Sequence, residues 1–299
     1  MVAPKTLLYV PGDRPDRVAK AYASGSDGVA IDLEDAVAWA AKAGTRARIA
    51  DVVRDNGRAG CVTAVRVNAI DTGMTDDDLD ALEPALAALD VVVVPKVSGP
   101  RDVERVAARL TGFERTAGEE PGRIRLLPII ETARGVLEAV RIASADERVL
   151  TLAFGAADLS GELGVTVTPG GEEFLHARSH VVLAAAAAGR EPPLDGVHLR
   201  LRDPDGLRRS AVHARSLGFG GKQLIHPEQI DIVRSVFSPS DAEIAWAKDV
   251  DAAFRSAEAT GVASIRLDDG TFVDYPIAHR AQEILRAART PDAHERSGK

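Results

Sequence analysis

One cysteine, Cys61, is the only thiol in this chain of 299 residues. No disulfide can form within the chain, and a reducing, cytoplasmic setting is the expectation. Cys61 stands in an apolar stretch and reads as a small buried hydrophobe rather than a nucleophile. No apolar run approaches the ~18 residues that span a bilayer. The start, Met1-Val2-Ala3-Pro4-Lys5, enters a strand-like run without the basic segment and longer apolar core of an export signal. Excess positive charge is missing too: the net charge is -8, which argues against a nucleic-acid surface, since phosphate binding needs a concentrated basic face. No internal repeat and no low-complexity linker interrupts the chain.

What is present, in 45% hydrophobic residues, is regular alternation. Strand-like apolar runs recur at Leu7–Val10, Gly28–Leu33, Val62–Val67, Val91–Val94, Arg125–Ile130, Leu150–Phe154, Gly196–Leu201 and Lys222–Ile225. A helix-period segment separates each run from the next, among them Arg101–Thr111, Glu172–Ala188 and Pro204–Ser216. Alternation of this kind calls for a parallel sheet, and eight units fit a (β/α)8 TIM barrel better than an open doubly wound sheet. The first turn, Pro11-Gly12-Asp13-Arg14-Pro15, also lacks the G-x-G-x-x-G of a dinucleotide fold. The barrel is expected over 1–237. From Ser238 an appendage, 238–299, carries a helix over Asp241–Ala259 capped by Ser240, a hairpin around Asp268-Asp269-Gly270, a closing helix over Ile277–Ala288 and a frayed tail over Thr290–Lys299.

In a TIM barrel the loops at the carboxyl ends of the strands carry chemistry. Two apolar runs end in lone carboxylates, Leu126-Leu127-Pro128-Ile129-Ile130-Glu131 and Leu150-Thr151-Leu152-Ala153-Phe154-Gly155-Ala156-Ala157-Asp158. Neighbouring strands lie about 5 Å apart, and two acids that close repel unless a proton or a cation intervenes. No cationic residue lies beside either acid in sequence. With no histidine or cysteine in these segments, the ligand set is oxygen-only, which favours Mg²⁺ over zinc or copper. Other strand ends are polar as well: Asp32-Leu33-Glu34-Asp35, Arg66-Val67-Asn68, Pro95-Lys96 and His226-Pro227. A basic cluster of Lys5, Arg14, Arg17 and Lys20 reads, on composition alone, as an ordinary solvated helix start.

The runs Tyr9-Val10-Pro11-Gly12-Asp13-Arg14-Pro15, Ile31-Asp32-Leu33-Glu34-Asp35-Ala36-Val37, Val65-Arg66-Val67-Asn68, Pro95-Lys96-Val97, Ile129-Ile130-Glu131-Thr132, Phe154-Gly155-Ala156-Ala157-Asp158-Leu159 and Gly221-Lys222-Gln223-Leu224-Ile225-His226-Pro227 together resemble the citrate lyase β-subunit/malyl-CoA lyase family of the HpcH/HpaI aldolase superfamily. The resemblance spans nearly the whole chain. It implies a Mg²⁺-dependent lyase that cleaves a 3-hydroxyacyl-CoA thioester of citramalyl, citryl or malyl type into acetyl-CoA and a 2-oxo acid, or runs the reverse condensation. A homotrimer or hexamer with shared sites is implied as well. By the same resemblance Glu131 and Asp158 are the metal ligands and Arg66 steadies the enolate and carbonyl oxygens. Glu34 and Asp35 form an acidic shell around metal-bound water, and Tyr9, Arg14, Lys20, Ile225 and Pro227 contact coenzyme A. Asp274 closes over the site from a neighbouring subunit and moves the acetyl proton. Rival functions are a thioesterase acting on the same substrate and the β subunit of a citrate lyase assembly acting on an acyl-carrier-protein thioester. The segment between Leu163 and Ala177 lacks the longer tryptophan-containing insertion of malyl-CoA lyases, and Gly196–Arg202 is more basic than is usual in the family.

Overall fold

Eight short parallel strands close on themselves: β1 (Thr6–Pro11), β2 (Gly28–Asp32), β3 (Val62–Arg66), β4 (Val91–Val94), β5 (Arg125–Ile130), β6 (Ala153–Phe154), β7 (Leu194–Asp195) and β8 (Gly221–Leu224). The computed structural model describes residues 1–267 and 269–289. Closure comes from β1, which pairs with β2 in the register Leu7↔Gly28 and with β8 in the register Thr6↔Lys222. Helices follow the strands, so the architecture is the expected (β/α)8 barrel.

Successive side chains of a strand point to opposite faces, and here both faces are buried. Leu7, Ala30, Ala64, Val91, Val93, Leu127, Ile129, Ala153 and Leu194 pack together inside the barrel. Their neighbours Leu8, Val29, Ile31, Val65, Val92, Val94, Leu126, Ile130 and Leu224 pack outward against helix residues such as Val18, Ile49, Val103, Val106, Leu110 and Val181. Burying each Leu, Ile or Val contributes about 1.5–3 kcal/mol, so the double layer accounts for most of the barrel's cohesion. A charged group spans β7, β8 and the surrounding helices: Lys222 and Arg178 both bind the buried Asp195 carboxylate. Burial alone would raise that carboxyl, but the two cations hold it below the ordinary aspartate range.

Two strands differ from expectation. The sixth is only Ala153–Phe154; Val149 contributes an isolated bridge to Leu126, and Asp158 lies beyond the strand, in the first turn of helix Ala156–Leu163. The seventh is Leu194–Asp195 rather than Gly196–Leu201. Pro192 and Pro193 just before it lack ladder N–H groups and disguise its start. The run that looked like a strand is a rim loop, with Leu199 66% and Leu201 48% exposed.

The chain divides into two compact units, Met1–Phe237 and Ser238–Lys299. In the second, helix Asp241–Glu258 opens with a reciprocal cap in which Ser240 Oγ accepts from the Glu243 amide and Glu243 Oε2 accepts from the Ser240 amide. It packs through Ala247, Val250 and Phe254 on Ala278 and Ala281 of helix Tyr275–Arg289. The hairpin is there as β9 (Ile265–Arg266) and β10 (Phe272–Val273), antiparallel. Asp268 of its turn and the tail Thr290–Lys299 lie outside the described residues. Among those described, no helix is long and apolar enough to cross a membrane.

Candidate active site

The lumen alternation that buries Leu7, Ala30, Ala64 and Ile129 places Tyr9, Asp32, Arg66 and Glu131 one step further toward the carboxyl rim on the same face. The site is thus the polar top layer of an otherwise apolar lumen. Arg66 is its organising cation. Its Nε and Nη2 donate to Asp32 Oδ1 and Oδ2 at 2.7 and 2.6 Å. Its Nη1 lies 2.8 Å from Glu34 Oε2 as an ion pair that falls short of hydrogen-bond alignment. Below it the Tyr9 ring lies 5.1 Å from the guanidinium carbon. Burial raises the Tyr9 hydroxyl well above the usual phenol range, so it stays a neutral donor, to Gln223 Oε1 at 2.8 Å. With three donors committed, Arg66 keeps spare N–H groups on both terminal nitrogens.

Asp32 also accepts from the amides of Glu34 and Ala36 at 2.9 and 3.0 Å, which turns the chain so that Glu34 faces the lumen rim. Lys42 fastens this turn, donating to the carbonyls of Leu33 and Glu34 and to Asn68 Oδ1.

Glu131, 4% exposed, accepts from the Lys96 amide at 2.8 Å through Oε1. Among the described residues Oε2 meets no donor. Burial pushes the Glu131 carboxyl up to about 8; the Lys96 amide opposes this, and the charges of Asp158 and Glu34 add to it. Gly155 makes the room: a Cβ there would stand 2.3 Å from Glu131 Oε2. The Asp158 side chain is 39% exposed, and its Oδ1 lies 3.7 Å from Lys96 Nζ. The sequence showed no cation beside either acid, but the fold supplies one. Lys96 Nζ also reaches Glu34 Oε1 at 2.6 Å and Asp35 Oδ1 at 3.5 Å. Burial works against its charge, yet the hydrogen bond it donates to Glu34 and the three nearby acids hold its ammonium above the ordinary lysine range. Burial likewise raises Glu34 despite Arg66 and Lys96.

Glu34, Asp35, Arg66, Glu131 and Asp158 are therefore brought together, with Tyr9 beneath them. Arg14 and Lys20 stand apart from this group, both exposed, Arg14 at the start and Lys20 in the last turn of helix Pro15–Ala23. Arg14 pairs with Asp16 at 3.4 Å. Ile225 and Pro227 follow β8 and are exposed, the Ile225 amide donating to Gln229 Oε1 at 3.0 Å. Asp274 belongs to the second unit, where its carboxylate accepts from the Ile277 amide at 3.3 Å at the start of the closing helix. Asp32 and Lys96 carry no role in the sequence-based assignment although both stand in the strand-end motifs. Their signal was there: a strand-end acid two residues before Glu34, and a basic residue separated by one proline from a run of four valines.

No three His, Cys, Asp or Glu side chains among the described residues form a ready-made metal cage. Two carboxylates, one of them on a buried glutamate with an oxygen that no donor among the described residues meets, suit a cation that keeps most of its water and takes ligands from its substrate, which is the habit of Mg²⁺. Beside them a fixed guanidinium faces the space where negative charge would grow. The combination can stabilise an oxyanion or enolate.

Residues 5–227 match the HpcH/HpaI aldolase/citrate lyase family. The chain is 34% identical to the citrate lyase subunit beta of Leuconostoc mesenteroides subsp. cremoris over 95% of this chain and 93% of that protein. It is 31% identical to the mitochondrial citramalyl-CoA lyase of Rattus norvegicus, covering 95% and 86% of the two chains. Among solved structures, it resembles protein CitE from Mycobacterium tuberculosis in complex with magnesium, acetoacetate and coenzyme A, at 35% identity and a TM-score of 0.76, covering 96% of this chain and 98% of that one. A closed eight-stranded barrel whose residues 5–227 match the family, together with relatives 34% and 31% identical over 95% of this chain, places this chain in the HpcH/HpaI aldolase/citrate lyase family.

Proposed function

We propose that this chain is a Mg²⁺-dependent carbon–carbon lyase acting on a 3-hydroxyacyl-CoA thioester of citramalyl, citryl or malyl type. The observation that carries this is the buried Glu131 carboxylate, one oxygen fixed and one free, set across from an arginine pinned by Asp32. Glu131 and Asp158 would hold the ion, and Gly155, having no Cβ, leaves the Glu131 carboxylate its place beside it. When bound, Mg²⁺ supplies Lewis acidity toward the 2-oxo carbonyl. Cleavage takes the proton of the 3-hydroxyl, makes that carbon the carbonyl of the 2-oxo acid and leaves the bonding pair on the acetyl thioester as an enolate, which then takes up a proton. Arg66 turns its spare N–H groups to these oxygens. Glu34 and Asp35 keep the rim acidic and order water. Arg14 and Lys20 present charge to the phosphates of coenzyme A, with Tyr9, Ile225 and Pro227 along the thioester's approach. Asp274 delivers the acetyl proton from the second unit of a neighbouring protomer in a homotrimer or hexamer, so 238–299 works as a lid and assembly element. The lone thiol Cys61, half-buried and pushed up to about 12 by burial, suits a reducing cytoplasm.

The test is purified protein, with Mg²⁺ or with EDTA, against citramalyl-, citryl- and malyl-CoA, with products identified by mass spectrometry. Acetyl-CoA plus a 2-oxo acid, formed only with the metal, is the expected result. Free CoA with an intact hydroxy acid would mean a thioesterase. The similarity to citrate lyase β subunits favours one other reading: turnover of an acyl-carrier-protein thioester by a chain inert toward CoA esters would establish it.

A further inference from the structure

Lys96 is the only non-glycine residue with a left-handed backbone among the described residues, at φ 52°. That conformation disfavours any residue with a Cβ and persists where surrounding contacts demand it. Here two contacts diverge from one Cα. The amide is fixed on Glu131 Oε1 at 2.8 Å, while the side chain carries its ammonium to Glu34 at 2.6 Å, Asp35 at 3.5 Å and Asp158 at 3.7 Å. Arg66 is already committed to Asp32 and Glu34. Among the described residues, Lys96 is therefore the one cation set against Asp158. Its grip is graded: the Glu34 contact is a hydrogen bond, and the Asp158 contact is a loose ion pair that is readily surrendered.

We propose that Lys96 is a positioning residue that serves as the resident cation of the metal-free site. Its ammonium balances Glu34, Asp35 and Asp158 until a dication arrives, then gives up Asp158. Its amide meanwhile keeps Glu131 Oε1 occupied, so that Oε2 alone is offered. Metal affinity is thereby set by competition with a tethered positive charge. This rests on the reading of Glu131 and Asp158 as the carboxylates that hold Mg²⁺.

The experiment titrates Mg²⁺ into the full chain by calorimetry and records thermal unfolding in EDTA and in saturating Mg²⁺, for wild type and for Lys96→Met, Lys96→Arg and Lys96→Gly. Lys96→Met should bind Mg²⁺ roughly tenfold or more tightly, because a unit charge that repels the ion at close range is gone. Its melting temperature should fall in EDTA and recover toward wild type with Mg²⁺. Lys96→Arg should stay near wild type in both readouts. Lys96→Gly keeps the amide and accepts the left-handed backbone, so it gives the same affinity test if Lys96→Met fails to fold. Unchanged or weaker Mg²⁺ binding in the variants that lack the ammonium, or equal losses of melting temperature with and without Mg²⁺, would overturn the proposal. A wild-type chain that bound no Mg²⁺ would overturn the metal site along with it; wild-type binding matched by Lys96→Met would remove only the role of Lys96.

Discussion

Asp32 holds Arg66 in a two-pronged grip, Nε to Oδ1 at 2.7 Å and Nη2 to Oδ2 at 2.6 Å, with both side chains largely withdrawn from water. The pair fixes the plane of the guanidinium before any substrate arrives, which is what electrostatic catalysis requires of a charge that must not reorganise during the reaction. Arg66→Lys retains a positive charge but cannot make the fork. Its kcat should fall roughly 100-fold, with a smaller change in KM. Asp32→Ala strands a buried arginine and two amides, and should lower stability by about 3 kcal/mol or more in denaturant unfolding. Steady-state kinetics that leave kcat of Arg66→Lys untouched would reassign this arginine to a structural pair.

Gly155→Ala tests the metal pocket without removing a ligand. The added methyl would lie 2.3 Å from Glu131 Oε2 and 2.5 Å from its Cβ, so the carboxylate must swing aside and the backbone at Glu131 or at residue 155 must shift. The expectation is a folded protein, destabilised by about 1–3 kcal/mol through overpacking, whose Mg²⁺ binding by calorimetry is lost or strongly weakened. Wild-type affinity in this variant would show that Oε2 is not where the ion binds.

Proton and metal compete for Glu131. Its carboxyl is raised in the folded chain to about 8, first by burial, so its contribution to stability is fully present below the unfolded glutamate pKa and is lost as pH rises through about 8. The same ionisation frees the ligand. Apparent Mg²⁺ affinity should therefore climb from pH 6 to about 8 and level off above it, with proton release detectable by calorimetry in buffers of different ionisation enthalpy. An affinity flat between pH 6 and 9, with no protons released, would contradict the assignment.

Asp274 can be tested by complementation. If the lid acid acts in a neighbouring protomer, inactive Asp274→Ala and inactive Glu131→Ala chains mixed under exchange conditions should regain part of the wild-type activity, because some sites then combine an intact carboxylate pair with an intact lid. Mixed oligomers verified by mass spectrometry that stay inactive would refute the shared site. A fully active Asp274→Ala homomer would remove this residue from catalysis.

The strands easiest to find in the sequence were those long enough to show an uninterrupted apolar run. Val91–Val94 and Arg125–Ile130 are buried on both faces, and their composition shows it. β6 and β7 hold two residues each, too few for any period to register, and the leucines of 199–201 imitated a strand while lying on an exposed rim. Glu131 and Arg66 were legible because alternation along a single strand decides which way each points.

What the sequence by itself determined, then, is the order of strand and helix and the identity of the polar residues at the strand ends, since both follow from local periodicity. Tertiary structure alone decided how those residues are paired. Lys96 meets Glu34 across 62 positions and Glu131 across 35, and neither contact leaves a local trace. The left-handed backbone at Lys96, the space beside Gly155 and the clamp of Asp32 on Arg66 exist only once the strands have closed into a ring. Closure brings charges distant in sequence within a few ångströms, where partial burial weakens the screening by water.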